Sequence, residues 1–393
     1  MSPTKIKTLR SGDRMKNSVL TLLLSLAVAQ AFSQGEIRKY TNDFLNIGVG
    51  ARGMGMGNAQ VASTEDVYSG YYNPAGLANI GNTFQVGLMH SEYFAGIALY
   101  DYASFAVPMP DKKRVFGFSF FRFGVDNIPN TLFLIGPDGS INYNNITSFS
   151  TADYAFMLHY AQKFNVKGLT AGGTAKIIYR SVGPFGSAIG FGIDLGMQYR
   201  NKGWRVGLML RDITTTFDAW TFTFNDAQKQ ALLQTNNDLP KNSIEYAAPS
   251  IILGGAYEFN IKNKFFILPE VNLLFSTDGK RNVLVPGKPI SMDLVGGLEL
   301  NYARIGYIRA GVSNIQQYYA ENGKHNYSLS PSIGAGIRIK VIAIDYTLTN
   351  LTAIQGSSQN NGLYSHVISL RLDINVKKKA AEPKAVETKD VSQ

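Results

Sequence analysis

The sequence predicts an all-β fold, a transmembrane antiparallel β-barrel of about fourteen strands whose lumen is closed by an N-terminal hatch. Three observations predict it. Segments of apolar/polar alternation fill the chain from Thr83 onward, their connections alternate short with long, and a glycine-rich stretch ahead of the first segment fits neither helix nor strand.

The alternation comes first. Residues 189 to 199 set Ile189, Phe191, Ile193, Leu195, Met197 and Tyr199 against Gly190, Gly192, Asp194, Gly196 and Gln198, which is the period of a strand with one greasy face. Phe116, Phe118 and Phe120 repeat it, as do Ile333, Ala335, Ile337 and Ile339, and the last segment places Tyr364, His366, Ile368, Leu370, Leu372 and Ile374 on one side. Segmenting on this pattern gives strands at 83–89, 94–108, 112–123, 149–164, 168–180, 187–200, 203–212, 250–260, 264–275, 291–302, 304–313, 328–340, 341–349 and 363–375. All but the first are long enough to cross a bilayer, which takes about 9–11 residues of strand. Pro269, inside one of them, removes a ladder hydrogen bond and predicts a local bulge.

The connections were not used in that segmentation, and they show the asymmetry of a barrel with short periplasmic turns and long outer loops. Short links near residues 109–111, 165–167, 201–202, 261–263, 302–304 and 340–341 alternate with long ones at 124–149, 181–186, 213–249, 276–290, 314–327 and 350–362. The first hairpin, at 90–93, is the one short outer turn, and Asp226 to Leu233 reads as a short helix in the longest loop. A soluble sandwich is the alternative, but an open sheet of this size leaves edges and a greasy face in water.

Composition agrees. The 393 residues include 39 Gly, 23 Phe and 21 Tyr, with only 17% charged, which suits one large β body. Mean hydropathy is near zero, and no long apolar run lies outside the N-terminus, so a bundle of membrane helices is excluded. The net charge is +10, but Lys5, Lys7, Arg10, Arg14 and Lys16 against Asp13 hold +4 of it, leaving +6. Apart from Lys377 to Lys379 that remainder is scattered, so nucleic acid is not an expected partner. The absence of cysteine excludes disulfides, lipidation of a signal cysteine and thiolate metal sites.

Taken in order, residues 1–33 read as a secretory leader, with Lys16 as its positive start, an apolar run from Val19 to Ala29, and small residues at Ala27, Ala29, Ala31 and Ser33 for cleavage. Met15 is an alternative start. Residues 34–82 form the expected hatch, 83–376 the barrel, and 377–393 a disordered periplasmic tail. In a barrel of this size the side chains do not fill the interior, so a glycine-rich filler has a purpose.

Within the hatch stretch, GARGMGMGNAQVASTEDVYSGYYNPAGLA resembles the N-terminal segment of the PorV/PorQ family of Bacteroidetes, a branch of the FadL-like outer-membrane proteins. The resemblance implies that Arg52, Gly53, Gly55, Gly57, Glu65, Asp66, Asn73, Pro74 and Ala75 belong to a hatch, with Asn73-Pro74-Ala75 as its motif. It also implies a component of type IX secretion in the outer membrane, with outer-membrane lipid, the translocon and secreted cargo proteins as partners. The FadL side of the likeness implies instead a channel that takes up hydrophobic small molecules through a lateral opening. The inner face reads as lacking a continuous apolar track and the outer loops offer surface for a protein, so export is the expectation and transport the alternative.

Inner-face charges are mixed: Lys176, Arg180, Arg205, Arg211, Arg338 and Arg371 against Asp194, Glu270, Asp293, Glu299, Asp345 and Asp373. They are expected to pair with one another or with Arg52, Glu65 and Asp66 of the hatch; a polar solute path would use the same residues. Gly48-Val-Gly50-Ala-Arg-Gly53 matches a dinucleotide-binding pattern but has neither the strand before it nor the helix after it. His90, His159, His325 and His366 lie far apart, and no Gly-x-Ser-x-Gly accompanies His159. No cofactor, metal or enzymatic activity is expected.

Overall fold

The computed structural model describes residues 41–94, 96–136, 138–234, 238–319, 325–350, 354–355 and 364–375. The leader, the first residues of the expected hatch and the tail lie outside them. Eighteen strand segments are described: β1 (Thr83–Tyr93), β2 (Ala98–Pro108), β3 (Arg114–Asn130), β4 (Thr147–Lys163), β5 (Leu169–Val182), β6 (Gly186–Asn201), β7 (Trp204–Arg211), β8 (Thr216–Phe222), β9 (Ser243–Ala247), β10 (Ser250–Tyr257), β11 (Phe259–Ile261), β12 (Phe265–Ser276), β13 (Ser291–Tyr302), β14 (Gly306–Tyr319), β15 (His325–Ile339), β16 (Ile342–Asn350), β17 (Ile354–Gln355) and β18 (Tyr364–Asn375).

They occupy fourteen places in one closed antiparallel wall. Each strand pairs with its sequence neighbour, and β1 pairs with β18 from Thr83↔Asn375 to Glu92↔His366 to complete the ring. β7 and β8 are two halves of one wall strand, β9, β10 and β11 are pieces of the next, and β17 continues the place of β16 beside β15. Closure leaves the ring without a free first or last strand. The outward residues of each strand are apolar or aromatic over most of the wall, and a closed antiparallel barrel with such an exterior is an outer-membrane protein of a Gram-negative cell. No helix among the described residues is long and apolar enough to cross a membrane.

The strand boundaries match the expected ones to within a few residues at most ends, and the helix in the longest loop is Asp226–Gln234. The main departures have local causes. Asp212 and Thr215 take left-handed backbone conformations, with φ of 55° and 59°, which breaks one wall strand into β7 and β8. The neighbouring strand breaks at the same level, between Ala247 and Ser250, where Pro249 cannot donate. Pro269 keeps its place opposite Leu298, and its missing amide faces the interruption between β10 and β11; the register is the same on both sides of that interruption, so the ladder is broken there without the expected bulge.

Residues 41 to 82 lie inside the wall. They form an irregular insert with short helical turns at Ala51–Gly55, Ser69–Tyr72 and Pro74–Ile80. Most of the fully buried residues of the molecule are in this insert or on the wall facing it. The glycines on the inner face of the barrel find their reason here: Gly172↔Gly196, Gly207↔Gly254 and Gly297↔Gly311 are cross-strand pairs, and the insert backbone fills the space their side chains would take. A Cβ on Gly311 would stand 2.1 Å from the nitrogen of Gly57, and one on Gly207 2.2 Å from the carbonyl oxygen of Val61. Bare backbone on the wall lets the backbone of the insert come into contact.

Candidate functional site

Most of the buried charge of the described residues lies in the lumen, and the insert divides it into two faces. Its edges are tied to the wall by hydrogen bonds on every side. Ser369 accepts from the Ala51 amide at 3.0 Å and Thr347 donates to the Ala51 carbonyl at 2.6 Å. Ser332 accepts from the Gly57 amide at 3.1 Å, and Thr174 donates to the Gly70 carbonyl at 3.1 Å. Glu270, buried on β12, accepts from the successive amides of Ala62 and Ser63 at 2.8 and 3.1 Å, an arrangement that stabilises the carboxylate by two charge-assisted bonds.

Asn73, Pro74 and Ala75 are wholly enclosed. The Asn73 amide donates to the carbonyls of Val61 at 2.9 Å and Met197 at 3.1 Å, while its oxygen accepts from the Ala75 amide and caps the turn that Pro74 begins. One side chain thus joins two parts of the insert to β6. Gly53 leaves room for the Tyr72 ring, Gly55 for Thr347, and Gly57, with φ of +63°, for the backbone of Val312.

The face toward the short turns is ionic. Arg52 donates to Glu299 at 2.9 Å and stands 3.9 Å from Asp66. Arg309 lies between Glu299 and Asp345 at 2.7 and 2.6 Å. Asp66 is also held by Arg371 at 2.7 Å, whose other bond, at 3.0 Å, goes to Asp373, itself bonded by Arg338 at 2.8 Å. Glu65 pairs with Arg200 and, at 3.5 Å, with Arg205, which reaches Glu258 at 2.5 Å. Arg52, Glu65 and Asp66 of the insert therefore enter chains of alternating sign, beneath which a cavity of about 230 Å³ is lined by these three with Glu299, Arg309 and Arg371.

The other face, toward the long loops, is aromatic. Phe44, Tyr71 and Tyr72 of the insert pack with Tyr93, Tyr100 and Phe121 of the wall, with ring centroids 4.9 Å apart for Tyr71 and Tyr72 and 5.7 Å for Tyr71 and Phe121. Phe123 and Val125 are only partly buried against this cluster. Nearer the mouth, Phe149 meets Phe185 edge to face at 5.2 Å and Phe185 stacks on Phe224 at 6.1 Å, and Trp220 lies on Phe222 at 5.6 Å with Arg180 beneath it at 5.2 Å. This corrects the reading that the inner face lacks an apolar track. Tyr100, Phe121, Phe123 and Phe149 lie inside the expected strands, on the face opposite the greasy one, whereas Phe185, Trp220 and Phe224 lie in stretches read as loops.

The remaining lumen charges lie on this outer side or beside it. Lys176, enclosed in the wall, bonds Asp194 at 2.7 Å and also Asp212, at the break between β7 and β8. Arg180 forks onto Asp153 at 2.8 and 3.2 Å and reaches Thr41. Arg211 stacks on the Tyr71 ring at 5.0 Å and donates to Asn46. Asp293 is drawn into neither set: its carboxylate accepts from the Leu294 amide at 2.8 Å, because β13 has parted from β14 above Gly296 and carries it away from the ionic layer.

Arg309, Arg200, Glu258, Asp153, Asp212 and Asp218 were missed in the sequence. The first two and Asp153 follow from strand parity, since Arg309 alternates with Ile308 and Ala310, Arg200 with Tyr199, and Asp153 with Tyr154. Asp212, Asp218 and Glu258 lie at or beyond strand breaks, where parity has no signal.

His159 does meet a serine: Ser119 Oγ lies 2.8 Å from Nε2, and Thr174 Oγ1 2.8 Å from Nδ1. Both are buried under Gly70, where even a Cβ would strike the imidazole, so no substrate reaches the pair. Its bonds to Thr174, and through Thr174 to the insert, are a packing arrangement.

No family model matches the chain, and no curated protein matches its sequence. Among solved structures, the chain is similar to the Pseudomonas putida toluene transporter TodX, at 14% identity over 87% of this chain and 100% of that one, with a TM-score of 0.47. It is similar to the Ralstonia pickettii toluene transporter TbuX at 14% identity over 83% and 98%, with a TM-score of 0.48. A Pseudomonas aeruginosa FadL homologue shares 12% identity over 83% and 98%, with a TM-score of 0.49. At these scores the likeness carries no inference about solute or partner.

Proposed function

We propose that this barrel admits apolar small molecules of aromatic size from the cell surface, with residues 41–82 as the hatch that separates them from the periplasm. The observation that supports it is the run of inward aromatic side chains from Phe149, Phe185, Phe224 and Trp220 at the mouth to Phe123, Tyr93 and Tyr100 against the insert. Such rings give an apolar solute large contact area at low entropic cost. The ionic layer on the far side offers a solute of this kind nothing.

The export role implied by the PorV/PorQ likeness draws no separate support. Gly53, Gly55, Gly57, Asn73, Pro74 and Ala75 are all spent on packing within the barrel, so the motif that carries the likeness has no surface with which to meet a translocon or cargo.

Trp204→Phe leaves Trp220 as the single tryptophan and a reporter at the mouth. Titration of the purified barrel with a monoaromatic hydrocarbon is expected to change its emission saturably, while a sugar or dipeptide leaves it unchanged. Absence of saturable binding, with a partner protein retained on purification, would return the reading to export.

A further inference from the structure

The lipid-facing surface is not uniform around the barrel. On β6 six successive outward residues are apolar, Ile189 to Tyr199, and on β12 the same holds from Phe265 to Phe275. On β1, β2 and β3 the run is three: Phe84, Val86 and Leu88; Ala103, Phe105 and Val107; Phe116, Phe118 and Phe120. Above them stand His90 and Glu92, Asp101, and Arg122.

These form one row across adjacent strands, since His90 is directly opposite Asp101 and Asp101 opposite Arg122. His90 Nδ1 lies 2.7 Å from Asp101, and Arg122 lies 3.8 Å from Asp101 and 3.3 Å from Asp126. The row is not the rim of the apolar belt. Beyond it on the same face come Leu99 and the exposed Phe94 and Ile97 of the short turn, so ionised groups sit between two apolar levels.

A strand needs about five outward apolar positions to match a bilayer, half of its 9–11 residues. Three leave the row at a depth where lipid tails cannot solvate it. Three carboxylates stand against one guanidinium, so the row repels the phosphates of lipid headgroups as well. Arg122 is taken up by Asp101 and Asp126, and Asp101 is engaged on both oxygens, whereas the Glu92 side chain, 61% exposed, has His90 Nε2 at 3.9 Å beside it. The excess charge of the row is negative, which suits an ammonium.

We propose that the outward face of β1–β3 is a docking surface for a second integral outer-membrane protein that presents lysine at this depth. The turn between β1 and β2 spans only residues 94–97, against long loops elsewhere, so a neighbouring barrel can come alongside here without meeting a raised loop. The proposal is independent of what passes through the lumen.

A carbodiimide applied to native outer membranes condenses a carboxylate with a touching amine, forming an amide with loss of water to the reagent as its urea. Mass spectrometry is expected to find Glu92, Asp101 or Asp126 joined to a lysine of one other outer-membrane protein. The joined species should be lost in the Glu92→Gln/Asp101→Asn/Asp126→Asn variant while its barrel keeps the heat-dependent mobility of the wild type on electrophoresis. An amide to the ethanolamine of a phospholipid, an amide to a second copy of this chain, or no amide at these residues would each overturn the proposal. If the triple variant does not fold, the wild-type cross-link map alone decides between these outcomes.

Discussion

The two faces of the insert are held by opposite physics. Toward the short turns, Arg52, Glu65 and Asp66 are fixed by directional charge pairs with Glu299, Arg200, Arg205 and Arg371. Toward the long loops, Phe44, Tyr71 and Tyr72 rest on the aromatic wall of β1–β3. Buried charge pairs are unforgiving, because removing one partner strands the other, whereas an apolar surface tolerates rearrangement and can exchange one ring for another. The difference suggests a seat on one side and a receiving surface on the other.

The strongest way to break this comparison is to remove its object. Deleting residues 48–81 should open the lumen and raise single-channel conductance in planar bilayers severalfold; unchanged conductance would mean that the insert does not occlude. Next in size is Arg309→Met, which leaves Asp345 without its cation and Glu299 with one in place of two. We expect a loss of about 3–5 kcal/mol, read as a lower unfolding midpoint in detergent, whereas Arg304→Met, whose partner Glu258 keeps Arg205 and whose own side chain is half exposed, should cost about 0–1 kcal/mol. The smallest perturbation of the insert itself is Asn73→Ala, which removes the cap of the turn that Pro74 begins and one donor each from the Val61 and Met197 carbonyls, Val61 keeping Gln198 at 3.0 Å, at about 0.5–2 kcal/mol. It should loosen the segment enough to admit small ions while the barrel remains folded, measurable as brief openings in the same bilayer recordings.

The wall was legible because alternation along a strand is a local signal: Ile189 to Tyr199 announces its two faces without reference to the rest of the chain. The purpose of the inner glycines was not, since nothing in Gly207 or Gly311 says which backbone will lie against it. Reading those positions as one face was correct, and reading that face as glycine and charge alone overlooked Phe123, Phe149 and Trp220, which lie where strands lengthen into loops or break. The Asn-Pro-Ala turn was expected as a fixed turn, and Asn73 does cap it; that the same side chain also bridges Val61 to Met197 depends on contacts more than a hundred residues apart, which no spacing encodes.

The bare inner glycines also bear on the order of assembly. A wall whose cross-strand glycine pairs stand against peptide nitrogens and carbonyls, with Ser369 and Arg371 of the last strand bonded to Ala51 and Asp66, has no clearance through which a folded segment could later be passed. The segment, which precedes every wall strand in the chain, is therefore already in position when β18 meets β1, and the final seam closes around its own contents.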